Sequence, residues 1–434
     1  MKTRVLHYII RFLIGDDMPS ELTEMIGYTN DPNRFANYKV VIIPSGFFNE
    51  RIYGTKSSLP QLPLQEIQGV PLLFGSPKEE RIGDTWVVHA DIIASTFFLI
   101  TRYEEMIRRN IRDEHGRFLG KESLPYKAGF IHRPIVDEYR LLLHRWLRQA
   151  QICIPDIKTQ IRKIYLTHDV DSPTLYRSWK GLLRSVLDKR GIFNSLSGKF
   201  GALEKDPYYT FPWLFRQNGI LQDSIGKGRC QSILFIRSGG NSLFDKPHYT
   251  LENKDIQQLI RSAKEHGMAF GLHSSYQAGM ELSRMPKEKI KLEEKLRIEI
   301  TCHRNHFLRS REPEDLDQLE AMGITDDFTM GYADVAGFRL GTSYPVRWIN
   351  PITRRLSLSL KLHPLIVMDS SLEETKYMNL DYGQAYTYCL NLIKRTSLVD
   401  GELTLLWHND TVVEGTNSYL RKLYASLLNE LSRI

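Results

Sequence analysis

Four short apolar runs in the last two thirds of the chain end in residues that can hold a cation or move a proton. Residues 164–167 run into His168-Asp169-Val170-Asp171, and residues 268–272 into His273-Ser274-Ser275-Tyr276. Residues 365–368 end at Asp369, and residues 403–407 at His408-Asn409-Asp410. One such ending is ordinarily a cap or a turn hydrogen bond. Several together have a second reading, because the carboxyl ends of parallel strands open on one mouth. Asp169 and Asp171 stand two residues apart, so an extended segment puts both on one face. Paired carboxylates can divide labour, one holding a metal and the other taking a proton. The competing reading is an Asx-turn leading into Pro173.

These side chains converge only if the runs are strands with helices between them. After Pro155 the chain has that alternation. Apolar β-rich runs lie at 164–167, 232–236, 268–272, 365–368 and 403–407, and helical period lies at 255–266 and 287–303. Residues 1–155 read as a smaller α+β region, with strand-like runs at 38–44 and 70–74 and helices at 91–105 and 136–150. At 434 residues the chain exceeds what one core usually supports. The expected fold class is α/β: a parallel sheet or barrel over 156–434, with an insertion at 172–230, preceded by an α+β domain over 1–155. The apolar run 5–14 is interrupted by His7 and Arg11 and lacks a small-residue cleavage site, so it reads as a first strand and not as a signal peptide.

Thr167-His168-Asp169-Val170-Asp171 resembles the first motif of NodB-type polysaccharide deacetylases (carbohydrate esterase family 4). His273-Ser274 resembles the start of the second motif, Arg304-Asn305-His306-Phe307-Leu308-Arg309 the arginine-bearing third, and Leu405-Leu406-Trp407-His408 the fifth. The ordered set spans residues 160–415. The resemblance implies a deformed (β/α) barrel of the NodB type. It also implies that Asp169 is the general base, Asp171 and His273 are metal ligands, Arg304 orients Asp169, and His408 is the general acid. One position departs: the family's second motif has another histidine four residues after the first, and here it is Gln277. An amide oxygen is a weak ligand for a transition metal. His306 is the expected replacement, with Gln277 or Tyr276 as substitutes; its alternative is a helix-end cap. Residues 97–105 resemble an uncharacterised domain that precedes such deacetylase domains in some bacterial proteins.

The expected activity is removal of an acetyl group from an N-acetylated sugar or glycan precursor, with one divalent metal, zinc by default. A catalytically impaired barrel that binds glycan or a partner protein is the alternative, and Gln277 is what feeds it. A net charge of +7 favours anionic partners or is simply a basic surface. No nucleic-acid-binding signature accompanies it. The expected partner is a carbohydrate substrate, anionic and lipid-linked forms included. In the insertion, Tyr176, Trp179, Leu182, Leu183, Val186 and Leu187 recur at helical spacing among Arg177, Lys180, Arg184, Lys189 and Arg190. Such a stripe touches a membrane peripherally or faces a core. The run Tyr208-Tyr209-Thr210-Phe211-Pro212-Trp213 stacks on sugar or packs internally. Arg339 binds an anionic part of the substrate or, the preferred reading, closes a structural ion pair. Four scattered cysteines without a CxxC pair fit a reduced, cytoplasmic protein.

Overall fold

The computed structural model describes residues 2–177 and 198–434. Its first element is a helix, Thr3–Ile14, where the sequence suggests a strand. The period explains the correction: Val5, Ile9, Ile10, Leu13 and Ile14 are buried along one face, and the interrupting His7 and Arg11 fall on the other. Strands β1 (Ile26–Tyr28), β2 (Val40–Ile42), β3 (Gln65–Ile67), β4 (Val70–Leu72), β5 (Gly75–Ile82) and β6 (Thr85–Ala90) follow. They form a four-stranded sheet in the order β1-β2-β6-β5 and a β3-β4 hairpin. The expected helix at 91–105 is broken. Its main part, Ile92–Ile100, ends before Arg102, which adopts left-handed φ/ψ of 58° and 36°. Helix Ile135–Gln149 agrees with the sequence reading.

The second half carries β7 (Lys163–Val170), β8 (Cys230–Ile236), β9 (Ala269–Ser274), β10 (Cys302–Asn305), β11 (Asp326–Met330), β12 (Val346–Asn350), β13 (Arg355–Pro364), β14 (Val367–Met368) and β15 (Glu402–Leu406). They make one nine-stranded sheet in the order β12-β13-β11-β10-β9-β8-β7-β15-β14. Every pairing is parallel except β12 with β13. This mixed α/β sheet is compatible with a deformed barrel. Strands β10 to β13 fall outside the sequence reading. The helix expected over 287–303 spans only Met285–Leu296 and stops where Arg297 turns left-handed, so Arg304 sits on a strand and not beyond a helix.

Strand parity sorts the two faces. Ile164, Leu166 and Val170 of β7 pack with Leu234 and Ile236 of β8 under the helices. Tyr165, Ile233, Phe235 and Phe328 form a separate inner cluster on the opposite face. Asp169 shares parity with Tyr165, which aims it along the inner face toward the carboxyl end. Gly271 is required on that face: a Cβ there would stand 2.4 Å from the Phe235 ring.

Within the insertion, Phe211–Ile225 is a crossover helix between β7 and β8. Tyr209 and Phe211 are buried, and Trp213 lies under the Arg421 guanidinium at 4.2 Å, so the aromatic run packs internally. The basic stripe from Trp179 to Arg190 lies outside the described residues. No helix among the described residues is long and apolar enough to cross a membrane. All four cysteines are free.

Candidate metal centre

Parallel register brings the strand ends level. Asp169 pairs with Phe235, His273 with Arg304, and Leu406 with Thr167, so Asp169, Asp171, His273, Arg304 and His408 reach one rim. His306 follows β10 in a single tight turn whose next residue, Phe307, has φ of 61°.

One oxygen gathers both ring nitrogens. Asp171 Oδ1 lies 3.1 Å from His273 Nε2 and 3.2 Å from His306 Nε2. One donor atom from each of these three residues lies within 4.8 Å of the others. The far side of each ring is already engaged. His273 Nδ1 donates to the Arg304 carbonyl at 3.1 Å, and His306 Nδ1 faces Asp245 Oδ1 at 3.3 Å. Those bonds fix the tautomer that leaves both Nε2 lone pairs facing Asp171, as metal-binding imidazoles require. Asp171, His273 and His306 therefore fit a small divalent cation with room for exchangeable ligands. The two substitutes lie elsewhere. The Tyr276 hydroxyl is 3.3 Å from His115 Nδ1, and Gln277 lies in the turn after β9, its main-chain carbonyl accepting from the Met280 and Glu281 amides.

The second carboxylate is held apart from this cluster. Arg304 Nη1 donates to Asp169 Oδ1 at 2.9 Å, and its Nε to the Phe328 carbonyl at 3.0 Å. The guanidinium lies 4.5 Å from the centre of the Phe235 ring. Asp169 Oδ2 stands 3.8 Å from His273 Nε2. Across the rim, His408 Nδ1 donates to Asp369 Oδ1 at 2.8 Å, and the His408 amide donates to the other Asp369 oxygen at 2.7 Å. That leaves His408 Nε2 facing Asp171 Oδ2 at 3.6 Å.

Burial and mutual attraction compete at Asp171, His408 and His306. For Asp171, burial raises the pKa, but His306, His273 and His408 bring it well below the carboxylate range. Burial lowers the His408 pKa, yet Asp369, Asp171 and Asp169 carry it well above that of an ordinary histidine. His306 is lowered, chiefly by burial. Asp410 also lines the mouth, and burial pushes it up to about 6.

Three of these residues escape the sequence reading in their roles. Asp245 sits on a loop after β8, Asp369 at the end of β14 has no partner visible in sequence, and Arg117 comes from the N-terminal half. The mouth is a cavity of about 330 Å³ lined by both histidine and carboxylate groups and by Arg117, Lys246, Lys376 and Tyr377. Arg117 donates to the Phe307 carbonyl at 3.0 Å and to the Tyr377 hydroxyl at 3.1 Å, which ties the N-terminal half to the rim. Arg339 is not part of it. Its Nε and Nη2 engage Glu105 at 3.0 and 2.8 Å, the structural ion pair preferred from sequence.

Residues 3–152, about a third of the chain, match a family model described as a family of unknown function (DUF7033). No curated protein matches the chain. Among solved structures, one described as "putative polysaccharide deacetylase from Mycobacterium smegmatis" is similar at 15% identity over 65% of this chain and 87% of that chain, with a TM-score of 0.38.

Proposed function

We propose that the chain is a metal-dependent hydrolase that removes the acetyl group from an N-acetylated sugar or glycan precursor. The observation that carries this reading is the convergence of Asp171, His273 and His306 beside two further groups suited to proton transfer. Those three residues would hold the cation, zinc by default for such donors. A bound divalent cation supplies Lewis acidity, polarising a carbonyl and acidifying water. Asp169 keeps one oxygen free of Arg304 and accepts the proton of the attacking water there. Arg304 orients that carboxylate through a charge-assisted hydrogen bond. His408 is steadied at Nδ1 by Asp369 and delivers a proton from Nε2 to the departing amine. The carbohydrate enters through the cavity at the mouth, where Lys246 and Lys376 suit an anionic or lipid-linked form.

Zinc content and acetate release from N-acetylglucosamine oligomers test this together. Wild type is expected to hold one zinc per chain and to release acetate. His306→Ala is expected to lose most of its zinc, and unchanged stoichiometry would remove His306 from the ligands. Zinc bound without acetate release from any N-acetylated sugar would leave a glycan-binding barrel in place of an enzyme.

A further inference from the structure

A second cavity, of about 460 Å³, opens at the opposite end of the nine-stranded sheet, between the first helix and the amino-terminal ends of the strands. Arg4, Tyr8 and Arg11 face it from Thr3–Ile14 at helical spacing. Arg140, Arg347 and Lys361 face it from the helix Ile135–Gln149, β12 and β13. Among the described residues only two carboxylates, Asp16 and Glu402, line it. Two of the cations nearby are already spent. Arg162 pairs with Asp17 at 2.7 Å and with Asp400, and Arg11 donates to the carbonyls of Asp16 and Pro19 at 2.6 and 3.1 Å.

Arg140 is different. It is 6% exposed, its Nε is buried without a hydrogen-bond partner, and it forms no ion pair among the described residues. Its guanidinium lies 5.1 Å from the centre of the Tyr344 ring, and a Cβ at Gly15 would stand 2.3 Å from its Nη2. Arg347 beside it is half-buried: its Nη2 donates to the Ser357 carbonyl, its Nε is unpartnered, and its guanidinium lies 5.7 Å from the centre of the Tyr8 ring. A buried guanidinium with no carboxylate in direct contact is costly, and the carboxylates of Asp17 and Asp137 act on Arg140 only at longer range. Here one such group, Arg140, is positioned by an aromatic ring on the wall of a cavity whose size suits a small ligand, with the half-buried Arg347 beside it. An anion with several acceptor oxygens would satisfy both.

We propose that this cavity binds the phosphate group of a small organic ligand, gripped by Arg140 and Arg347 with Arg4 at the rim. It shares no residue with the mouth and does not depend on the activity proposed there. Inorganic pyrophosphate, titrated calorimetrically into the full chain, is the probe. Wild type is expected to bind it saturably, and Arg140→Met to weaken binding about tenfold or more, since a hydrogen bond to a charged group is worth roughly 1.5–3 kcal/mol. Arg4→Glu, on an exposed helix surface, keeps the test open should Arg140→Met fail to fold; it too is expected to weaken binding. Vesicles containing phosphatidic acid separate the two sources of phosphate. Sedimentation with wild type but not Arg140→Met would identify a lipid headgroup; pyrophosphate binding without sedimentation would identify a soluble phosphate ester. No saturable pyrophosphate binding by wild type, or unchanged affinity in both variants, would overturn the proposal.

Discussion

The interior holds two arginine–carboxylate clusters that look alike and are built for different ends. Where the N-terminal half meets the large sheet, Glu105 gives one oxygen to Arg339 Nε and the other to Arg102 and to Arg339 Nη2. Arg102 also reaches across to Ser310. Nothing is left over, so the cluster can only hold. At the mouth, Asp169 meets a single arginine through one oxygen, and its second oxygen makes no hydrogen bond among the described residues. Both pairs are almost fully buried. The difference is spare valence: a saturated carboxylate contributes cohesion, and an unsaturated one facing a cavity can accept a proton.

Substitution at each carboxylate should break different properties. Asp169→Asn keeps the shape and an acceptor for Arg304 but removes the base. We expect acetate release to fall about 10²–10⁴-fold with zinc content and circular dichroism retained. Near-full turnover would assign Asp169 to the structural class of Glu105. Glu105→Gln should do the reverse. It leaves Arg102 and Arg339 without their counter-charge, and urea denaturation should show a loss of about 3–5 kcal/mol with zinc binding preserved. The same cluster has a pH signature. Burial pushes Glu105 up, but Arg102 and Arg339 outweigh it and bring its pKa to about 2, below the ordinary 4.5. Its contribution is therefore complete above pH 4.5 and lost as pH falls toward 2. Acid denaturation of Glu105→Gln should lack that component.

How much of this was legible in sequence depends on what hides each element. The strand ends were legible because apolar runs stop at chemical residues: Asp169, His273 and His408 all reach the rim. The helix at 255–266 was legible from its period and is Lys254–Glu265. Strand β10 was not, because Cys-His-Arg-Asn carries almost no apolar signal; it is buried by its neighbours β9 and β11, and Arg304 is fully buried with it. Strand β11 begins with two aspartates, for a similar reason. Thr3–Ile14 misled because a dense apolar run satisfies both periods, and packing against Ile135–Gln149 settles it as a helix. Asp245 was invisible because 61 residues separate it from His306 and only the tertiary fold joins them.

Asp245 also allows the smallest of these effects to be measured. The two imidazoles differ behind the ring: His273 leans on a main-chain carbonyl, and His306 on the carboxylate of Asp245. Only the second support can be altered by substitution. Asp245→Asn is expected to weaken zinc affinity about 10–100-fold, because the amide can present a donor to Nδ1 and free the wrong tautomer. Turnover at saturating zinc should stay near wild type, since Asp169 and His408 are untouched. Asp245 also accepts from the Tyr276 amide and from Ser242, so loop disorder could mimic the effect. Ser242→Ala separates the two, because it removes a bond to Oδ2 and leaves Oδ1 facing His306. Equal losses of zinc affinity in both variants would mean that Asp245 merely shapes its loop; a loss confined to Asp245→Asn makes the carboxylate the support of the His306 ring.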